Sequence, residues 1–205
     1  MIQKQTIAID IDDVITDTTE ALRIWGNELS GVEISRDEFK TPGEYWGYTE
    51  GVWKRNNVEH LVSYDTFEDL LASGKTYVPL LSGASFAIQE LQKKYHIILI
   101  TARSPWLEKI TKEWLAKEFP HSDIELFLAQ SMDRRANLVG KTKGELCKEL
   151  GVSYLIDDNI GHCQSALEEG VDVVLFGEYG WQTDAPEDIT RCRSWPEVLE
   201  YFDGR

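Results

Sequence analysis

Short, unbroken apolar runs recur along this chain, and each stops at a polar or small residue. Thr6-Ile7-Ala8-Ile9 stops at Asp10, and His96-Ile97-Ile98-Leu99-Ile100 stops at Thr101. Ile124-Glu125-Leu126-Phe127-Leu128 is a weaker run. Val152-Ser153-Tyr154-Leu155-Ile156 stops at Asp157-Asp158, and Val171-Asp172-Val173-Val174-Leu175-Phe176 stops at Gly177. Runs of this kind predict strands buried on both faces. The stretches between them carry helical spacing instead. Ala84, Ala87, Ile88 and Leu91 predict a helix over 84–95. Ser104-Pro105 predicts another as N-cap and first helical residue, with Trp106, Leu107, Ile110, Trp114 and Leu115 on its apolar side. Two short helices are predicted from Gly144 to Leu150 and from Gly161 to Glu169, stopped by Gly151 and Gly170. Ser194-Trp195-Pro196-Glu197 has the form of a capping box for a last helix through Phe202. Strands alternating with helices predict an α/β fold of three layers, a Rossmann-like parallel sheet covered on both faces.

Residues 16–78 break the alternation. They contain no convincing buried strand, but they do contain helix starts, among them Ser35-Arg36-Asp37-Glu38 in capping-box form. They also hold Trp25, Tyr45, Trp46, Tyr48, Trp53, Tyr64 and Phe67. The expectation is a small helical insertion after the first strand, with 1–15 and 79–205 forming the sheet domain. A small insertion has little besides aromatic residues from which to build a core. Trp46 and Tyr48, flanked by Gly43, Gly47 and Gly51, are the best candidates to stack on a base.

Composition narrows the partners. The chain has 205 residues, 42% of them hydrophobic and 28% charged, which is globular usage. Lys and Arg total 21 against 36 Asp and Glu, a formal net charge of −15. Such a chain repels nucleic acid and anionic membranes, and neither is expected as a partner. A small anionic substrate remains compatible, because a metal ion and a few basic side chains reverse the field locally. The three cysteines, Cys147, Cys163 and Cys192, include no CxxC pair, and Met1 to Thr6 hold no long apolar run. A soluble, cytoplasmic protein is expected. The oligomeric state stays open, a homo-oligomer included.

In open parallel sheets the ligand sits outside the carboxyl ends of the strands. The residues that terminate the strands are Asp10 and Asp12, Thr101, and Asp157-Asp158. Lys141 and Lys143 lie just before the helix leading to the fourth strand. Carboxylates converging on one edge repel one another unless a cation lies among them. Oxygen ligands alone suit Mg²⁺, which keeps waters for a phosphate. A threonine hydroxyl and a lysine ammonium suit the phosphate oxygens, so the set reads as a metal-assisted phosphoryl site. Each residue also has a plainer reading. An aspartate at a strand end is often a turn former or cap, and Thr101 is an ordinary β-branched strand residue. Arg103 fits a clamp on substrate or a solvated turn residue equally. His60, His96, His121 and His162 show no zinc spacing and default to solvated or structural roles.

Ile7-Ala8-Ile9-Asp10-Ile11-Asp12-Asp13-Val14 resembles the first motif of the haloacid dehalogenase-like (HAD) phosphatases. Ile98-Leu99-Ile100-Thr101 is similar to their second motif, Lys143 to the lysine of their third, and Leu155-Ile156-Asp157-Asp158 to their fourth in its double-aspartate form. The motifs occur in order, with the insertion where that family places a C1 cap. The resemblance implies Asp10 as nucleophile and Asp12 as general acid and base. It implies Mg²⁺ on Asp10, the Asp12 carbonyl and Asp158, with Asp157 behind them. Thr101, Ala102 and Lys143 would form the substrate-binding set, with Lys143 preferred over Lys141. The short helical cap and the run from Lys143 to Asp158 resemble the 5′(3′)-deoxyribonucleotidase group, implying a nucleoside monophosphate as substrate and 5′-nucleotidase activity. Thr101-Ala102-Arg103 departs from the Ser-Pro that follows the threonine in that group. Two alternatives stay open: a phosphatase of sugar phosphates or other small esters, and a catalytically silent binder of a phosphorylated ligand.

Overall fold

A computed structural model describes residues 4–42, 50–129 and 140–205. Six strands form one parallel sheet: β1 (Thr6–Ile9), β2 (His96–Thr101), β3 (Glu125–Leu128), β4 (Tyr154–Asp157), β5 (Asp172–Phe176) and β6 (Arg191–Cys192). Their order is β3-β2-β1-β4-β5-β6. The chain therefore leaves β1 in one direction for β2 and β3, and returns on its other side for β4 to β6. The crevice at that switch point is where a ligand fits, and β1 lies at it, its Ile9 in register with Leu99 and Ile156.

The alternation of side chains along each strand divides the core in two. Ile7, Ile9, Leu99, Ile156 and Val174 face one way, against α4 (Ala84–Lys94), α5 (Glu108–Glu118) and α8 (Trp195–Asp203). Ala8, Ile98, Ile100, Leu155 and Leu175 face the other way, against α6 (Lys143–Glu149) and α7 (Ile160–Glu168). The predicted three layers are present. Between β1 and α4 come α1 (Thr18–Ser30), a 3₁₀ turn (Arg36–Lys40), α2 (Glu50–Arg55) and α3 (Tyr64–Ala72). This insertion has a core of its own in Leu22, Ile34, Phe39, Val52, Trp53, Val58, Val62 and Phe67. The two connecting segments run side by side, with Asp17 N–H donating to Pro79 O and Leu81 N–H to Ile15 O. Among the described residues no helix is long and apolar enough to cross a membrane, and Cys147, Cys163 and Cys192 are free and buried.

Two local expectations need correction, and one strand went unread. β6 is too short to stand out in the sequence and is recruited by pairing with β5, Phe176 opposite Cys192. Ser194 begins α8 without a side-chain cap, because Glu197 turns back to Arg193 N–H at 2.8 Å. Ser35 likewise makes no capping bond, since Glu38 accepts from Asn56 at 2.8 Å and the segment winds as a 3₁₀ turn. Capping boxes occur instead at Ser63/Thr66 and Thr142/Glu145.

Candidate active site

Asp10 follows the last residue of β1 and is buried; its N–H donates to Ile156 O on β4, which draws the two strand ends together. Lys143 reaches this point from the first residue of α6, fully buried, with Nζ 2.8 Å from Asp10 Oδ1 and 2.6 Å from Asp157 Oδ2. The capping box on Thr142 and Glu145 fixes the start of α6, and Gly144 lets that turn lie against α7. A Cβ at Gly144 would come within 2.0 Å of Ser165 O. Lys141 is exposed and paired with Glu149 on the outer surface at 2.6 Å. Of the two candidate lysines, the structure brings only Lys143 to the site.

Asp12 stands on the other side of the loop and has different partners. Arg103 grips it in bidentate fashion, Nε to Oδ2 at 2.9 Å and NH2 to Oδ1 at 2.7 Å, while its NH1 donates to Thr111. Thr18, the first residue of α1, donates to Asp12 Oδ1 at 2.7 Å. Asp13, at a φ of 57°, turns back to receive Thr19 N–H at 2.9 Å and the Thr19 hydroxyl at 2.7 Å. The loop after β1 is thus tied directly to the first helix of the insertion. Thr101 is buried at the end of β2, and its Oγ1 accepts Arg103 N–H at 3.2 Å. Ala102 is half-buried beside it. Ser104 and Pro105 hold the N-cap and first positions as expected, of a 3₁₀ turn that precedes α5, but the Ser104 hydroxyl donates to Glu68 of α3 at 2.7 Å and makes no capping bond.

On β4, Asp157 Oδ1 accepts Asn159 N–H at 2.9 Å and lies 3.2 Å from His162 Nδ1. Asp158 is buried and points to the segment after β5, where Trp181 Nε1 donates to its Oδ2 at 2.9 Å and Gln182 donates to its carbonyl at 2.7 Å. Asp10, Asp157 and His162 each offer a ligand atom within 4.8 Å of the others.

No protein-family profile matches the chain. A Bacillus subtilis (strain 168) protein provisionally named nucleotidase YqfW is 26% identical over 209 residues, spanning 97% of this chain and 93% of that protein. A HAD-superfamily hydrolase of subfamily IA from Geobacter sulfurreducens superposes with a TM-score of 0.55 at 16% identity, covering 97% of this chain and 96% of its own. This chain has the HAD fold. The provisionally named HAD-hydrolase YfnB of Bacillus subtilis, solved bound to magnesium, superposes with a TM-score of 0.57 at 15% identity, covering 98% of this chain and 99% of its own.

The electrostatics of this HAD-fold site suit a cation. Burial pushes Asp10 up to about 6, against the pull of Lys143 and with repulsion from Asp157 and Asp12. Burial also pushes Asp158 well above the usual carboxylate range, and Asp157, Asp10 and Asp13 repel it further. Asp10 Oδ1 receives no aligned hydrogen bond; its contact with Lys143 is ionic only. The group that the structure gathers around a possible ion is Asp10, Asp157 and His162; its carboxylate oxygens, with Asp10 Oδ1 lacking an aligned hydrogen bond, fit Mg²⁺. Asp157 and Asp12 are held below the usual carboxylate range. Burial opposes ionisation of both, but Lys143 and His162 outweigh it at Asp157, and Arg103 and Thr18 outweigh it at Asp12. Lys143 is penalised by burial and still held above its ordinary value by Asp10 and Asp157.

The structure brings Lys143 into direct contact with Asp10 and Asp157, and it places Thr101 at the end of β2 and Asp12 and Asp158 on the loops around them. Trp46 and Tyr48 lie outside the described residues. The sequence reading missed Trp181, Gln182 and Thr18, and it gave His162 no place at the site. A usable signal existed for the first two, because Tyr179-Gly180-Trp181-Gln182 follows the carboxyl end of β5, where strand-end residues are the informative ones.

Proposed function

We propose that the chain is a Mg²⁺-dependent phosphomonoesterase working through an aspartyl-phosphate on Asp10. The supporting observation is the buried Asp10 beside Lys143 at 2.8 Å, with Asp12 on the loop that follows. Asp10 attacks phosphorus while the ester oxygen departs and takes a proton from Asp12. Asp12 then removes a proton from water, whose oxygen attacks the phosphoryl group and returns Asp10 as a free carboxylate. Lys143, Thr101 and Ala102 hold the phosphoryl oxygens, and Lys143 offsets the charge of Asp10. Asp10, the Asp12 carbonyl and Asp158 would hold Mg²⁺, and Asp157 keeps Lys143 in place. The ion would supply Lewis-acid neutralisation of the phosphate oxygens. For Asp12 to serve as acid, its carboxyl must leave the bidentate grip of Arg103, and the guanidinium then turns toward substrate while NH1 keeps its bond to Thr111.

Residues 16–78 act as a cap over the site, excluding water and reading the leaving group. The substrate we favour is a nucleoside monophosphate. This reading is supported by the likeness to YqfW over nearly the whole of both chains. The test is phosphate release from ribo- and deoxyribonucleoside monophosphates and sugar phosphates, with Mg²⁺ and with EDTA, for the wild type and Asp10→Asn. Mg²⁺-dependent release that Asp10→Asn abolishes, fastest on a nucleotide, is the expected result. Faster release from sugar phosphates would overturn the nucleotide assignment. No release by folded protein from any compound would overturn the enzymatic one.

A further inference from the structure

The segment after β5 belongs to none of the motifs read from the sequence, yet it packs against three parts of the site. Tyr179 donates its hydroxyl proton to Asp13 O at 2.6 Å, in the loop after β1. Trp181 donates its indole proton to Asp158 Oδ2 at 2.9 Å, and Gln182 holds both Asp158 O and Phe176 O at 2.7 Å. Gly180 lies against the insertion so closely that a Cβ there would meet Thr41 O at 2.7 Å. The segment is rigid for reasons that can be named. The Tyr179 and Trp181 rings stack at 4.4 Å and 3°. Trp181 and Gln182 are buried, and Arg191 donates to Gln182 O at 2.8 Å. Gly177, at a φ of 85°, permits the turn that brings Tyr179 back, since a Cβ there would strike its ring at 2.2 Å.

We infer that Trp181 is a positioning residue for the cation: it fixes the Asp158 carboxylate through Oδ2 and leaves Oδ1 to face the ion. The inference rests on the metal-site reading of Asp158 given above. A buried carboxylate with one oxygen held by a rigid donor has lost the freedom to rotate before the ion arrives, so less ordering remains to be done on binding. Partners of this kind behind a ligand typically change metal affinity about 10- to 100-fold. The indole also makes the event visible, because its hydrogen-bond acceptor changes charge environment when the ion binds.

The test is Mg²⁺ titration of the full chain by calorimetry and by tryptophan fluorescence, comparing wild type, Trp181→Phe and Tyr179→Phe. Phenylalanine at position 181 keeps a ring to stack on Tyr179 and removes the indole donor together with the five-membered ring, and Tyr179→Phe controls for loosening of the segment. The expected result for Trp181→Phe is about tenfold weaker Mg²⁺ binding, a lost share of the Mg²⁺-induced fluorescence change, and near wild-type kcat at saturating Mg²⁺. Tyr179→Phe keeps wild-type affinity, which separates the indole bond from general loosening of the segment. A folded Trp181→Phe that binds Mg²⁺ as tightly as wild type would overturn the inference while leaving the metal site intact. A wild type that binds no Mg²⁺ by either readout would overturn the metal-site reading itself. Should Trp181→Phe fail to fold, the indole N–H resonances of the wild type carry the test. One of them must shift with the calorimetric affinity, and if none does the inference fails.

Discussion

Asp10 and Asp12 are separated by one residue and are held in opposite ways. Asp10 belongs to the sheet: its backbone bonds to β4, and its buried charge partner comes from the capped start of α6. Asp12 belongs to the boundary between sheet and insertion, gripped by Arg103 from the turn after β2 and by Thr18 from α1. The first arrangement leaves Lys143 no other place to go, because it is fully buried between Asp10 and Asp157. The second is partly solvated, the side chains of Arg103 and Asp12 being 10% and 18% exposed. The first node is locked inside the sheet domain, and the second joins the sheet domain to the insertion and is reached by solvent.

The comparison breaks most visibly at Lys143. Lys143→Met leaves Asp10 and Asp157 buried without their shared cation, and about 3–5 kcal/mol of stability is expected to go with it. Urea unfolding measures the loss, and phosphate release falls in the same variant. A stability loss below about 1 kcal/mol, the range of exposed pairs, would show that this node is no firmer than a surface contact. Arg103→Lys tests the other side. Lysine keeps the charge but offers substrate no guanidinium fork once Asp12 has left it, so kcat drops about tenfold from looser placement of substrate, with thermal stability nearly unchanged. A rise in kcat would mean that Arg103 only restrains Asp12 and takes no part in turnover. The finest test is Thr142→Ala. It removes the cap bond from α6 at a cost of about 1 kcal/mol and leaves kcat near wild type, because Lys143 remains clamped between two carboxylates. A large loss of kcat would show that the helix start, and not the ion pairs, places the lysine.

The sheet was legible where a strand is buried on both faces, since β1, β2, β4 and β5 each write an apolar run with a polar stop. β6 was not, because two residues that pair late in the sheet leave no run to read. Helix starts were legible at Gly144 and Gly161 to within a residue. The false capping boxes at Ser35 and Ser194 failed because a Glu three residues on is free to choose another donor, and both did. At the site, strand-end logic carried Asp10, Thr101 and Asp158 to one edge but left Lys141 and Lys143 open; the resemblance in motif three chose Lys143. Contacts made across long sequence separations had no local signature: Arg103 to Asp12, Ser104 to Glu68, and Trp181 to Asp158.

The central claim is that Asp10 carries the phosphoryl group. Rapid acid quenching of the Mg²⁺-loaded chain during turnover of its best panel substrate, followed by mass spectrometry of the peptide spanning Asp10, tests it most directly. A phosphoryl adduct on Asp10 that appears with substrate, decays as phosphate is released and is missing in Asp10→Asn is the expected result. Turnover at full rate with no adduct at any quench time, or an adduct on another residue, would contradict it.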